Sequence, residues 1–209
     1  GWAQKTIGVE TDAYYYTARS DMELKKSLGK DTLLDGNLLV SWVRIIKSDA
    51  EINLMKQAGK IAEKVMSTAL ANLAPGTREC DAVAAVYQAQ MSGTPDFGGD
   101  YPSIVPMMPT GEKTSAPHLT WTDDPYESGQ AVNLELAGCR HRYHCPIART
   151  AFIGKNPPEK LKTLADITVE GLNLTLDSIK PGLTGEDVER IWREHIAKKG
   201  FEKESRIGY

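Results

Sequence analysis

The chain has 209 residues, a hydrophobic content of 41% and a formal net charge of −3 at pH 7. This length and apolar content are enough for a folded core, and they exclude a disordered tail. Acidic and basic residues are mixed along the whole sequence. No basic stripe is present, so neither nucleic acid nor an anionic membrane surface is an expected partner.

The cysteines and the apolar runs indicate a cytoplasmic protein. Three cysteines, Cys80, Cys139 and Cys145, are too few and odd in number for a disulfide framework, which favours a reducing compartment. The charge-free runs are short, such as Val65 to Thr77 with 13 residues, whereas a membrane span needs about 20 apolar residues.

The first 43 residues have the pattern of one α/β unit. KTIGVE predicts a strand, YTARSDMELKKSLG predicts a helix, and NLLVSWVR, Asn37 to Arg44, predicts a second strand. Such a unit is too small to be stable alone. We therefore expect residues 1–43 to be the C-terminal remnant of one domain and residues 44–209 to be the first part of another.

The rest of the chain repeats one arrangement, in which a long helix, a Pro-Gly break and a shorter helix follow each other. Ser48 and Glu51 predict a capping box at the first long helix, and Thr184 is the predicted cap of the second short helix. The breaks at Pro75 and Pro181 lie 106 residues apart, which indicates an internal duplication (181 − 75 = 106). The predicted helices cover residues 48–73, 77–92, 159–180 and 185–199.

Three strands are predicted after the first helix pair, at Ser103 to Met108, Ala131 to Gly138 and Tyr143 to Ile153, and the last two predict a hairpin. The second helix pair is followed only by the few residues that end at Tyr209. We therefore expect the chain to be part of a longer protein, with the matching half-sheet and the rest of any site outside it.

Residues two apart on a strand share one face of the sheet. On the hairpin, the residues of one face are Asn133, Glu135 and Ala137 with His144, Pro146 and Ala148. Glu135 lies inside the apolar run NLELAG, and an acid buried there is costly unless it has a task. It is therefore a candidate functional residue; the alternative is an ion pair with Arg140 or Arg142.

Three features together resemble the pita-bread family of creatinase, prolidase, aminopeptidase P and methionine aminopeptidase. They are IKSDAEI at Ile46 to Ile52, the duplicated helix pairs, and ART at Ala148 to Thr150. The resemblance implies an α+β fold in which duplicated helix pairs lie on a curved antiparallel sheet. Residues 44–209 would be the first part of this catalytic domain.

The metal-dependent members of that family use two aspartates, eleven residues apart in this hairpin, to bind a pair of divalent ions. The matching positions here are Glu135 and Pro146 (146 − 135 = 11). Proline has no donor atom, so we expect no dinuclear centre and no cofactor. A single ion held by Glu135 and residues outside the chain stays an alternative. CRHRYHC is not expected to bind zinc, because strand alternation separates its second histidine from its second cysteine.

Three longer segments resemble the metal-free ectoine hydrolases of this family: Phe97 to Gly111, Ser115 to Trp121, and Glu135 to Thr150. The resemblance implies a homodimeric hydrolase. It would open the cyclic amidine ring of ectoine or hydroxyectoine, an ectoine-like zwitterion, to an N-acetyl-diaminobutyrate.

The resemblance also implies roles for five residues. Glu135 would stabilise the amidinium and either attack its carbon or activate water. His118 lies seventeen residues before Glu135, where creatinase has its proton-transferring histidine (135 − 118 = 17); the alternative is a histidine in a surface loop. His144 would orient the substrate or merely fill the sheet face. Asp100 and Tyr101 would line the pocket or form a simple turn.

There are three alternatives to this function. A metal-dependent Xaa-Pro peptidase of the prolidase type is opposed by Pro146. A lyase on the same scaffold, acting on another small charged osmolyte, is compatible with the motifs. A pita-bread domain retained only for binding would use an acidic or extended surface, and no segment of the sequence stands out as one.

Overall fold

The computed structural model describes residues 5–29 and 32–203. Its strands and helices, in chain order, are β1 (Ile7–Val9), α1 (Ala18–Leu28), β2 (Leu33–Asp35), α2 (Leu39–Arg44), α3 (Asp49–Ala71), α4 (Glu79–Ser92), β3 (Ala131–Arg140), β4 (Tyr143–Phe152), α5 (Glu159–Ser178) and α6 (Gly185–Lys198). A short 3-10 helix covers Gly111–Ser115. Among the described helices, none combines the length and the apolar character needed to cross a membrane.

The chain forms two compact units that are not contiguous in sequence. The first consists of Gly1–Lys64, Gln90–Ser103 and Ala137–Pro146. The second consists of Val65–Ala89, Ile104–Leu136 and Ile147–Tyr209. Helices α3 and α4 and strand β3 each contribute residues to both units. The predicted domain boundary after residue 43 stays a prediction.

The N-terminal part of the first unit is a βαβ arrangement. Strands β1 and β2 are parallel, with Ile7 opposite Leu33 and Val9 opposite Asp35. Helix α1 connects them and is capped by Thr17, whose hydroxyl accepts a hydrogen bond from the backbone N–H of Ser20 at 3.1 Å. The predicted order of strand, helix and strand is therefore confirmed.

The strand predicted at Asn37 to Arg44 is wrong. The strand is β2, and Leu39–Arg44 forms helix α2. The Asp35 carboxylate accepts a hydrogen bond from the N–H of Asn37 at 2.9 Å, and Leu38 has a left-handed φ of 61°. This turn ends the extended segment before the residues whose aromatic and β-branched side chains favoured a strand.

The helix caps and breaks are close to their predicted positions. The Glu51 carboxylate accepts hydrogen bonds from the N–H and the hydroxyl of Ser48, both at 2.7 Å, which confirms the capping box. Helix α4 begins at Glu79, two residues later than predicted, and ends at Ser92 as expected.

The second helix pair, α5 and α6, lies in the second unit. Thr184 caps α6 as predicted, because its hydroxyl accepts a hydrogen bond from the Asp187 N–H at 3.1 Å. The two helices approach each other closely at Gly171. A Cβ atom at that position would lie 2.4 Å from a ring carbon of Trp192, so the contact depends on glycine.

Strands β3 and β4 form the predicted hairpin, a two-stranded sheet. His141 and Arg142 connect them with φ values of 47° and 67°, the signature of a two-residue type I′ turn. Counting outward from this turn, Asn133 lies opposite Thr150. The hydrogen bond from the Thr150 hydroxyl to the Asn133 side-chain oxygen, 3.1 Å long, agrees with that register.

The same register places Pro146 opposite Ala137. The Ala137 carbonyl accepts a hydrogen bond from the Gln90 side chain at 3.0 Å, and the Cys139 carbonyl accepts one from the Asp100 N–H at 2.9 Å. These alternate residues of β3 therefore direct their backbone polar groups away from β4. The backbone nitrogen of Pro146 correspondingly faces the outer edge of β4, where a missing N–H costs no hydrogen bond within the hairpin.

The strand predicted at Ser103 to Met108 is wrong as a regular strand. Within the segment, pairing is reduced to an isolated antiparallel bridge in which Met107 and Glu135 exchange backbone hydrogen bonds of 2.9 and 3.1 Å. The segment contains or borders three prolines, Pro102, Pro106 and Pro109. Each proline lacks the N–H that a ladder requires, so continuous pairing is interrupted.

Close packing of β3 on α3 organises the core of the first unit. Ala58, Ile61 and Ala62 on α3 are fully or almost fully buried. A Cβ atom on Gly138 would lie 2.2 Å from the Ala58 carbonyl oxygen, so only glycine lets the strand lie this close to the helix. In the second unit the largest buried side chains include Tyr126, Met108 and Leu134.

Candidate functional site

The part of β3 that lies in the second unit has one buried face and one accessible face. Val132, Leu134 and Leu136 are buried, whereas Asn133 and Glu135 between them are only half-buried. The alternation predicted for β3 is confirmed here. The backbone of Glu135 is fixed by Met107, and its side chain lies on the accessible face.

The Glu135 carboxylate accepts no hydrogen bond and forms no ion pair with any residue in ranges 5–29 and 32–203. The ion pair with Arg140 or Arg142, weighed as an alternative, does not form. Both guanidinium groups bind other partners in the first unit. Glu135 is therefore an accessible acid whose charge no described cation neutralises.

His118 lies in the loop that follows the 3-10 helix. Its φ of 58° is left-handed, an uncommon conformation for a residue with a side chain. The start of the loop is hydrogen-bonded to the accessible hairpin face, because the Asn133 side-chain nitrogen donates to the Thr114 carbonyl at 3.4 Å. The structure thus joins the loop of His118 to Asn133, which lies on the same strand face as Glu135.

Glu79, which the sequence did not single out, organises the same loop. Its side chain is 3% exposed, and one carboxylate oxygen accepts a hydrogen bond from Lys113 at 2.8 Å. The other oxygen accepts from the N–H and the hydroxyl of Thr122 at 2.6 and 3.1 Å. Burial and the Glu79 charge together raise the pKa of Tyr126. In the sequence, Glu79 resembles any acid that begins a helix.

Asp100 and Tyr101 bind the tip of the hairpin within the first unit. The Arg142 guanidinium lies 4.2 Å from the centre of the Tyr101 ring and donates a hydrogen bond to the Tyr101 carbonyl at 2.9 Å. The Arg142 N–H donates to the Asp100 carboxylate at 3.3 Å. The structure brings these three residues together; the contact of Asp100 and Tyr101 with substrate stays a prediction.

Arg140 makes a parallel set of contacts with the same segment. Its guanidinium lies 5.5 Å from the centre of the Phe97 ring and donates to the Gly98 carbonyl at 3.0 Å. A further hydrogen bond of 3.2 Å joins it to the side chain of Gln57. Arg140 and Arg142 therefore each cover one aromatic ring and bind one backbone carbonyl of residues 97–101, a pairing that the sequence did not reveal.

Both ring nitrogens of His144 have partners. Nε2 accepts a hydrogen bond from the Ser103 N–H at 3.0 Å, so the ring proton of the neutral form must be on Nδ1. Nδ1 lies 3.0 Å from the Arg142 carbonyl and can donate to it. His144 must release Ser103 before Nε2 can bind a substrate. Its substrate-orienting role stays a prediction.

The residues present do not fit a dinuclear metal centre. Glu135 offers carboxylate oxygens, but Pro146, the residue that the resemblance matches to the second ligand, offers no donor atom. Across the part of the chain that the structure describes, no three His, Cys, Asp or Glu side chains converge on a common point that could hold an ion.

The chain is similar to known proteins along almost its whole length. A profile of the metallopeptidase family M24 matches residues 53–209. An uncharacterized hydrolase/peptidase of Sinorhizobium fredii is 46% identical, over 98% of this chain and 52% of the relative. The ectoine hydrolase of Halomonas elongata is 38% identical, over 100% of this chain and 54% of the relative.

The fold agrees with that of solved structures. The Xaa-Pro dipeptidase of Bacillus anthracis has a TM-score of 0.82 and 26% identity, over 94% of this chain and 53% of that protein. The chain thus spans about half the length of the curated relatives that it matches. The chain belongs to the metallopeptidase family M24 and has the pita-bread fold of its prolidase relatives.

Proposed function

We propose that the full-length protein hydrolyses the amidine ring of ectoine, or of its hydroxylated form, without a metal ion. The observation that carries the proposal is the pair of Glu135 and Pro146. An accessible carboxylate without a described cationic partner lies at the position that the resemblance matches to the family's first metal ligand, and the proline matched to the second ligand has no donor. The relative named ectoine hydrolase supports the choice of substrate.

The chemistry of the substrate explains why such a site suffices. Ectoine is a cyclic amidine with a carboxylate, and its protonated ring carries delocalised positive charge. The amidine carbon is therefore electrophilic without a Lewis acid. A carboxylate at Glu135 attracts this cation. It also stabilises the positive charge of the amidine ring as that charge changes during the reaction.

Two roles for Glu135 remain open. As a general base it would remove a proton from the water that adds to the amidine carbon. As a nucleophile it would bond to that carbon first, and water would then resolve the adduct. In either route one water is consumed, one ring C–N bond breaks, and the carbon becomes the carbonyl of an acetamide on the other nitrogen.

The remaining residues complete the proposed mechanism. His118 would give a proton to the departing ring nitrogen, since an imidazole accepts and donates protons near neutral pH. His144, Asp100 and Tyr101 would orient the zwitterion. Hydrogen bonding from the Asn133 side chain to the Thr114 carbonyl supports the assignment of His118, because it ties the loop to the Glu135 face.

Replacement of Glu135 by glutamine in the full-length protein tests the proposal. The change preserves shape and removes the charge, so we expect ectoine ring opening to fall at least ~100-fold. The matched control is Glu127→Gln, an exposed acid shortly before β3, which should open the ring at the parental rate. Ring opening is followed by proton NMR. Parental turnover in Glu135→Gln contradicts the proposal.

A metal-dependent Xaa-Pro peptidase is the second candidate, favoured by the structural similarity to the Bacillus anthracis dipeptidase. Its signature would be cleavage of an Xaa-Pro dipeptide only after a divalent cation is added. The same preparation, assayed on ectoine and on the dipeptide, separates the two candidates.

The proposal includes a cytoplasmic homodimer with a small-molecule substrate, and neither nucleic acid nor a membrane as partner. The support is the mixed charge of the sequence, its three cysteines and the family resemblance. Light scattering on the full-length protein tests the dimer: a mass of one subunit contradicts it.

A further inference from the structure

We propose that Glu79 is a positioning residue that holds the loop of His118 by binding both of its ends. The task given to His118 rests on the proposed function. The contacts of Glu79 do not rest on the proposed function, and a separate experiment tests them.

The contacts of Glu79 are divided between the two ends of one loop. Lys113 lies five residues before His118 and binds one carboxylate oxygen, while Thr122 lies four residues after it and binds the other (118 − 113 = 5; 122 − 118 = 4). The Lys113 ammonium also donates to the Thr122 hydroxyl at 3.2 Å. A single carboxylate thus joins the beginning and the end of the loop.

Burial makes this arrangement sensitive to the loss of any member. The Glu79 side chain is 3% exposed and that of Lys113 is 32% exposed. A carboxylate removed from water needs a cation and hydrogen-bond donors, and here both come from the loop. Loss of the Glu79 charge removes the buried carboxylate that Lys113 and Thr122 share and leaves Lys113 only the exposed Asp124 carboxylate at 3.9 Å, so the two loop ends are held less firmly.

The conformation of His118 indicates that the loop requires such a constraint. A left-handed residue other than glycine persists only when its surroundings hold it there. Side-chain hydrogen bonds hold both ends of this segment, from Glu79 to Lys113 and Thr122 and from Asn133 to Thr114. We therefore expect the position of the His118 imidazole to depend on Glu79.

A neighbouring ion pair provides a matched control. Arg78 and Asp81 lie at the same end of α4 and form an ion pair of 2.8 Å, with side chains 56% and 54% exposed. Neither makes a side-chain hydrogen bond to residues 113–122 within the described part of the chain. Asp81→Asn should therefore alter the start of the helix without altering the loop.

The first experiment is a double-mutant cycle on ectoine ring opening by the full-length protein. We expect Glu79→Gln to lower kcat about tenfold or more and to leave KM nearly unchanged, because proton transfer depends on geometry. In the His118→Ala background, Glu79→Gln should cause no further loss, since it acts through the missing imidazole. Asp81→Asn should match the parent.

An equal loss of kcat in both backgrounds overturns the proposal, because Glu79 would then act independently of His118. Unchanged kcat in Glu79→Gln alone also overturns it. Where Glu79→Gln fails to fold, Lys113→Met removes the partly exposed member of the pair and enters the cycle instead.

The second experiment does not need activity. Amide hydrogen exchange of residues 114–121 should be faster by about tenfold or more in Glu79→Gln or Lys113→Met than in the parent and in Asp81→Asn. If the parent does not open ectoine, the proposed function fails, and this exchange still decides the role of Glu79. Exchange equal to that of the parent overturns it.

Discussion

The two arginines near the hairpin turn, Arg140 and Arg142, show how the partners of a cation decide which acids stay without one. Arg140 and Arg142 bind the 97–101 segment through rings and carbonyls, and Glu135 keeps no described cationic partner. A strand-end acid beside two arginines ordinarily predicts an ion pair. Here the planar guanidinium groups stack on aromatic rings instead.

Arg142→Lys tests this interpretation at the residue scale. Lysine keeps the charge but loses the planar contact with Tyr101 and the directed hydrogen bond to its carbonyl. We expect the free energy of unfolding, measured in urea, to fall by about 0.5–1 kcal/mol. Arg149→Lys is the control, since Arg149 is exposed and donates a hydrogen bond to the adjacent Ala148 carbonyl. Equal effects of the two changes contradict the stacking argument.

His144 provides a spectroscopic prediction. Because Nε2 accepts the Ser103 N–H, the neutral ring should carry its proton on Nδ1. Long-range nitrogen-15 correlation spectra above neutral pH should show Nε2 as the unprotonated nitrogen. Ser103→Ala removes the hydroxyl that lies 3.1 Å from Nε2 but keeps the backbone donor, so Nε2 should stay the unprotonated nitrogen. Protonation at Nε2 would show that this hydrogen bond is absent in solution.

The residue scale is also where the sequence was least informative. Glu135 and the alternation around it could be predicted, because period-two patterning is local. Glu79 could not, since its partners Lys113 and Thr122 are 34 and 43 residues away. The stacking of Arg142 on Tyr101 likewise joins segments that no local pattern relates.

At the scale of elements, the start of α3 is fixed by Glu51. The N–H of Ser48 first, and then the Tyr143 hydroxyl, hold the pKa of this carboxyl at about 2, well below its ordinary 4.5. The Tyr143 hydroxyl donates to it at 2.7 Å, so the same acid caps the helix and binds β4.

The pKa of Glu51 gives a pH-dependent prediction. A folded-state pKa below the unfolded one stabilises the fold above about 4.5, and this contribution is lost as the pH falls towards about 2. Glu51→Gln should therefore lower the free energy of unfolding at neutral pH, with the difference from the parent shrinking in acid. Glu63→Gln, an exposed acid within α3, is the control for charge alone. If the difference in unfolding free energy between Glu51→Gln and the parent does not change with pH, the lowered pKa of Glu51 is contradicted.

Helices were more predictable than strands in this chain. Caps and Pro-Gly breaks are local signals, so both helix pairs and the Ser48 and Thr184 caps could be found. The strands predicted at Asn37 to Arg44 and at Ser103 to Met108 were wrong, because a strand forms only where a partner strand pairs with it. In the first case β2 takes that pairing, and in the second the prolines interrupt it.

At the scale of the whole molecule, the fold class was predictable because several signals agree. The repeated helix pairs, the hairpin and the short motifs all indicate the pita-bread fold, and the solved relatives confirm it. The chain matches only about half of each relative's length. For that reason the activity is a property to be measured on the full-length protein.

The measurement that tests the central claim most directly is ectoine ring opening by the full-length protein before and after removal of bound metal with a chelator. An accessible carboxylate acting on an already cationic ring needs no metal ion, so we expect the rate to be the same in both preparations. Loss of activity with the chelator, and its return with a divalent cation, would contradict the account.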